Sequence, residues 1–106
     1  MANKKSILTR YTENCMFCGR PTNTEHHFLF GSGIRAIADR DNVKGPVCDY
    51  CHNMGPVTVR IHDNPMAEHL SKMLGQMAWE KHEVANGLSE DAAREAFRKR
   101  YGVSYL

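Results

Sequence analysis

Polar and apolar residues along this chain change period several times, and each change predicts an element. Thr24-Glu25-His26-His27-Phe28-Leu29-Phe30 carries the aromatic and β-branched residues that favour a pleated surface, and Gly31-Ser32-Gly33 ends it, so the stretch predicts a strand. Ile34, Ile37 and Ala38 have i, i+3, i+4 spacing and predict a short helical turn, stopped by Asp39-Arg40-Asp41-Asn42. Val43-Lys44-Gly45-Pro46-Val47 returns as a second strand, which makes the whole segment a hairpin with a long loop. Val57-Thr58-Val59-Arg60-Ile61 alternates and suggests one more short strand or extended segment. Asp63 or Asn64 can cap a helix whose first position is Pro65, and Met66, Leu70, Met73, Leu74 and Met77 fall on one face of it. That methionine-rich face is expected to be core. Gly75 costs up to about 1 kcal/mol relative to Ala inside a helix, so a close contact is expected there, and Asn86-Gly87 supplies the stop. Ser89 caps a last helix with Glu90 and Asp91 in its first turn and Arg98, Lys99 and Arg100 in its last, ending at Tyr101-Gly102. Strands followed by helices define an α+β chain.

At 106 residues this is one small domain, near the lower limit at which a single apolar core suffices, so a metal staple would help. No apolar run is long enough to cross a bilayer, and Met1 to Leu8 lacks the apolar core of a signal peptide, so a cytoplasmic protein with no membrane partner is expected. Fourteen Lys and Arg against twelve Asp and Glu give a net charge of only +2, which does not by itself announce a nucleic-acid binder. Residues 1–14 form a basic N-terminal arm (Lys4, Lys5, Arg10) expected to become ordered only near Tyr11, either as a solvated tail or as a phosphate-contacting arm. The cluster Arg94, Arg98, Lys99 likewise reads either as a well-capped solvated helix end or as a phosphate patch.

Cysteine spacing changes the picture. Cys15-Met16-Phe17-Cys18-Gly19 and Cys48-Asp49-Tyr50-Cys51 are two Cys-x2-Cys knuckles, and Gly19 permits the positive φ that such turns often need. In a reducing compartment this spacing points to a four-cysteine structural zinc site rather than to disulfides. The 29 residues between Cys18 and Cys48 imply a small substructure inserted between the knuckles, and it holds His26 and His27. In a regular strand adjacent side chains point to opposite faces, so the two histidines would act side by side only through a local twist or bulge.

The ordered set His26-His27, Asp41-Asn42-Val43 and Val47-Cys48-Asp49-Tyr50-Cys51-His52 resembles the HNH (His-Me finger) endonucleases in their zinc-stapled form. The later Arg60-Ile61-His62-Asp63-Asn64-Pro65 segment and the long helix after it are similar to small phage-encoded HNH proteins of the recombination-enhancement group. The resemblance covers roughly residues 15–85 and implies a ββα-metal core with additional C-terminal helices. On it the chain divides into the arm, a zinc-stapled nuclease domain over 15–86 and a C-terminal helix over 87–106 packed on the same domain.

The resemblance further implies a metal-dependent hydrolase that nicks or cuts DNA, linked to DNA processing or recombination and helped by a phage or host protein. His27 would be the general base, His26 a ligand of the catalytic metal and Asn42 the residue that orients His27. The last ligand falls to His52 or His62, because Gly55-Pro56 follows His52 too soon for a helix. Glu25 could assist the metal or the base, and His69 and His82 match no motif position. Cofactors implied are structural Zn²⁺ and a catalytic divalent ion, Mg²⁺ or Mn²⁺, with Zn²⁺ or Ni²⁺ also suited to histidine ligands. Arg35, Arg40, Lys44 and Arg60 are the expected DNA contacts, and with Lys4, Lys5 and Arg10 they would form a phosphate channel if the fold gathers them around His27. The alternative is a non-catalytic zinc-stapled module that binds nucleic acid or protein.

Overall fold

Strand β1 (Glu25–His27) pairs antiparallel with β2 (Lys44–Pro46), with Glu25 opposite Pro46, His26 opposite Gly45 and His27 opposite Lys44. This hairpin is the only sheet among the described residues, which in this computed structural model are 5–106; Lys4 lies outside them. The strand predicted to run to Phe30 ends at His27. Phe28 and Leu29 are both fully buried, and two consecutive residues of a flat strand cannot face the same core. The chain therefore leaves the sheet after one more bond, from Phe28 N–H to the Val43 carbonyl (3.0 Å).

The loop between the strands contains α1 (Ile34–Arg40), which starts at Gly33 in the left-handed region (φ 78°). Asp41 and then Asn42 (φ 60°) turn the chain back into β2. The N-terminal segment docks earlier than expected: Ile7 N–H donates to the Asn42 carbonyl (3.0 Å), and Ile7 and Leu8 pack against the core. After β2 a π-helical turn (Tyr50–Met54) carries Cys51 and His52.

No strand forms over Val57–Ile61. The N–H groups of Val59 and Arg60 both donate to the Pro56 carbonyl and close a turn (2.8 and 2.9 Å), while those of Ile61 and His62 return to the carbonyls of Cys51 and His52 (2.9 and 3.0 Å). Alternation mispredicts here because Val57 and Val59 are about half exposed and only Ile61 is buried.

Helix α2 (Pro65–Ala85) is capped by Asn64, whose side-chain oxygen accepts from Ala67 N–H (3.2 Å). Its buried face is Ser71, Gly75, Gln76 and Trp79. The predicted core stripe is instead mostly exposed: Met66, Leu70, Leu74 and Met77 are 74%, 50%, 44% and 54% accessible. Close approach explains the reversal. A Cβ on Gly75 would lie 2.9 Å from Leu29 Cγ and 3.2 Å from Phe28 Cβ, so the helix meets the hairpin along its small residues. Gly75→Ala is therefore expected to destabilise by about 1–3 kcal/mol through overpacking, which outweighs the gain of about 1 kcal/mol in helix propensity. Urea unfolding of the variant checks this, and a more stable variant would refute the close contact.

Helix α3 (Glu90–Tyr101) is capped by Ser89, whose Oγ accepts from Ala92 N–H (3.1 Å), and ends at Gly102 (φ 78°). Phe97 and Tyr101 stack on each other (4.5 Å between centroids) and meet Trp79 of α2 edge-on. Of the possible phosphate patch, Arg94 bonds Glu80 (2.7 Å) and Arg98 bonds Glu95 (2.5 Å), so two of its three cations are already paired. Among the described residues no helix is long and apolar enough to cross a membrane.

Candidate metal centres

The first knuckle is built by its backbone. Cys15 N–H donates to the Arg20 carbonyl (2.7 Å), Gly19 N–H to the Cys15 carbonyl (3.0 Å), and Gly19 has the positive φ (81°) such a turn requires. Met16 N–H donates to the Pro46 carbonyl (2.9 Å), which ties the knuckle to β2 just before the second Cys pair.

The sulfurs of Cys15, Cys18, Cys48 and Cys51 all lie within 4.8 Å of one another, and Cys18 and Cys48 are 3.5 Å apart. That is far beyond a bond of about 2.05 Å, and close to the roughly 3.8 Å between thiolates around tetrahedral zinc. Electrostatics agree. Burial alone would raise the Cys15 thiol, but the N–H groups of Cys48, Cys18 and Phe17 outweigh it and bring it down to about 6. Burial and the neighbouring sulfurs push Cys51 up to about 12. A thiolate at Cys15 opposes ionisation of Cys51, and a cation among the four sulfurs would remove the conflict.

A second cluster forms from three separate segments. His26 on β1, His52 on the π-helical turn and His62 before α2 each offer a ring nitrogen within 4.8 Å of the others. His26 is 1% exposed. Its Nε2 sits 2.8 Å from Ser71 Oγ, and the Ser71 hydroxyl donates to the Phe28 carbonyl (3.1 Å). Having given its proton away, Ser71 must accept from His26 Nε2–H. Nδ1 is then the ring's unprotonated nitrogen, and it is buried without a hydrogen-bond partner among the described residues. An orphaned lone pair there suits a metal.

His52 and His62 bring their Nε2 atoms to 3.0 Å of each other, and His62 Nδ1 is 3.5 Å from Glu68 Oε2, the carboxylate behind a ligating ring that holds its tautomer. Burial first, then the other rings, holds His26 down to about 2, and burial and His62 lower His52. Neutral imidazole is the ligating form. Three imidazoles without a carboxylate favour a transition ion over Mg²⁺.

His27 points the other way, as strand alternation requires. Its Nε2 lies 2.9 Å from Asp39 Oδ1, and Lys44 Nζ reaches the same oxygen (3.0 Å). The bonds from His27 and Lys44 hold the Asp39 carboxyl down to about 2, so it is an ionised acceptor and the Nε2 proton is His27's. The carboxylate against His27 is thus that of Asp39, while Asn42 lies in the turn beyond α1 and borders a groove with Lys5 and Arg10.

Basic side chains go to several places rather than to one channel. Lys44 lies beside His27, and Arg35 is near enough to His52 to help lower its pKa. Arg40 borders a groove with Asp41 and Trp79. Arg60 is spent inside its own turn, donating to the carbonyls of His62 (2.9 Å) and Gly55 (3.0 Å) and to Asp63 (3.1 Å). Asp39, Ser71 and Glu68 were not singled out from the sequence. A lone acidic or hydroxyl residue on a helix carries no signal until the fold places it against a ring.

Fold and site define a small α+β chain with a four-cysteine cluster suited to zinc and a three-histidine cluster that can hold a second metal. No family model, curated protein or solved structure matches the chain.

Proposed function

We propose that this chain is a metal-dependent endonuclease of the zinc-stapled HNH kind, with a ββα-metal core, hydrolysing DNA phosphodiester bonds. The observation that carries the reading is a carboxylate-held histidine, His27, next in sequence to a ligand of the three-histidine cluster. Asp39 fixes the Nε2–H tautomer and leaves His27 Nδ1 free as a base. Nδ1 takes a proton from water, the water oxygen bonds to phosphorus, and the bond from phosphorus to the 3′ oxygen breaks, the leaving oxygen taking a proton from solvent. A divalent ion held by His26, His52 and His62 would, when bound, stabilise charge on the phosphorane and the leaving oxygen. Products carry a 5′ phosphate and a 3′ hydroxyl.

One observation favours the second reading, a non-catalytic zinc-stapled binding module: Lys44 lies beside His27, but Arg60 is tied into its own turn and Arg40 borders a different groove. With a net charge of only +2, DNA affinity would be weak, and a phage or host DNA-processing protein would supply what the chain lacks.

Nicking of supercoiled plasmid with and without Mn²⁺ or Mg²⁺ decides between them. His27→Ala is expected to lower the rate by about 10²–10⁴-fold at unchanged zinc content. Asp39→Asn is expected to lower kcat with little effect on KM, because the base rather than the substrate loses its support. No metal-dependent cleavage by the wild type on plasmid, single-stranded or branched DNA would establish the binding module instead.

A further inference from the structure

The outward face of α2 borders the cysteine cluster but is left uncovered by it and by the hairpin. Met66, Leu70, Leu74 and Met77 form a stripe along it, each 44% or more exposed. Beside the stripe runs a largely apolar groove of ≈550 Å³ with Arg20 and the back of the cysteine cluster (Cys18, Cys51) on its far wall, and to it Phe17, Tyr50 and Val59 contribute further exposed surface. Together these side chains present roughly 700–800 Å², above the roughly 300–600 Å² of the largest apolar patch on a typical monomer. Covered in full, it would approach the share that each partner gives to a standard interface, about 800 Å².

We infer that this face of α2 pairs antiparallel with the same face of a second copy of the chain. Phosphates would find no counter-charge on the stripe from Met66 to Met77, the nearest cation of the groove, Arg20, being set over the Tyr50 ring (5.2 Å) on its far wall. An uncharged stripe, by contrast, can lie against its own copy with no like charges on the two-fold axis. α2 spans 21 residues, about 31 Å, and the stripe straddles its middle. A two-fold axis between Met73 and Leu74 sets Leu70 against Met77 of the second copy. It also lays Met66 along the aliphatic stem of the second copy's Lys81, whose ammonium stays in water. The groove gives the approaching helix a place to seat its ridge of side chains.

Sedimentation equilibrium of the zinc-loaded full chain, from low to high micromolar concentration, tests the inference. The wild type is expected to reach dimer mass, and Leu70→Lys to raise the dimer Kd by at least about 30-fold, with circular dichroism and zinc content unchanged. Lys99→Glu, on exposed α3 surface, should dimerise like the wild type. Methionine methyl signals of the wild type provide a readout without any variant, and those of Met66 and Met77 should shift with concentration. A wild type that stays monomeric, a Leu70→Lys variant that still dimerises, or methionine signals independent of concentration would overturn the inference. None of these outcomes depends on nuclease activity.

Discussion

Replacing Cys48 by Ser is expected to abolish cooperative folding of the hairpin, and stripping metal from the wild type with a strong chelator should do the same. Cys48 directly follows Val47, which closes the hairpin by donating its N–H to the Thr24 carbonyl (3.1 Å). The first knuckle has no regular element beyond a single Asn14–Pro21 bridge, and it is tied to the rest of the chain by the Met16 bond to Pro46, the Phe17–Phe28 ring contact and its sulfurs. Structural zinc sites contribute on the order of 10–16 kcal/mol at neutral pH, which matches or exceeds the whole stability of a small domain, about 5–15 kcal/mol. Loss of one thiolate also leaves Cys15, acidified by the N–H groups around it, as an anion with a weakened counter-charge. Thermal unfolding followed by circular dichroism, with zinc measured on the same samples, checks the expectation. An unchanged melting curve after complete zinc removal would show that the four cysteines are ordinary buried thiols.

What the sequence discloses is whatever depends on local chemistry. Knuckle spacing brings out Cys15, Cys18, Cys48 and Cys51, and capping chemistry locates Asn64 and Ser89, because each rests on residues within one turn of chain. His26, His52 and His62 were nameable as ligands by resemblance. That all three meet requires the π-helical turn and the Pro56–Arg60 turn to fold back onto β1, which no spacing states. Periodicity points to the wrong face of α2 for a physical reason. Periodicity ranks faces by hydrophobicity, but Ser71 and Gly75 gain more by letting Leu29 and Phe28 come close than the methionines would gain by covering them. Val57–Ile61 fails similarly, since Pro56 offers its carbonyl to two later N–H groups and a turn wins over alternation.

Asp41→Ala is expected to cost about 2–5 kcal/mol, mostly the desolvation penalty of two buried donors that it leaves without an acceptor. Its carboxylate, 14% exposed, accepts from Trp79 Nε1 (2.9 Å) on α2, from Tyr101 OH (2.7 Å) on α3, and from both Nε and Nη2 of Arg100 (2.6 Å each). One residue after α1 thereby fastens both C-terminal helices to the loop that leads into β2. Arg100 is 43% exposed, so solvent screens part of its share; the larger loss is two donors, the Trp79 and Tyr101 groups, left without their acceptor. Burial alone would raise the Asp41 carboxyl, but the bonds from Arg100, Tyr101 and Trp79 outweigh it and hold the group below its usual 3.8. A depressed carboxyl stabilises fully above its unfolded pKa and loses that contribution as pH falls through the lower, folded value. Asp41→Asn cannot titrate, so its deficit against the wild type should be largest at neutral pH and shrink below about pH 4. In acid the cysteine site also gives up its metal and the fold with it, so the contribution of the charge is read at pH 7 with zinc bound. Urea unfolding of the zinc-loaded wild type and Asp41→Asn at pH 7 measures it, and a variant as stable as the wild type would mean that Asp41 acts through shape and neutral hydrogen bonds rather than through its charge.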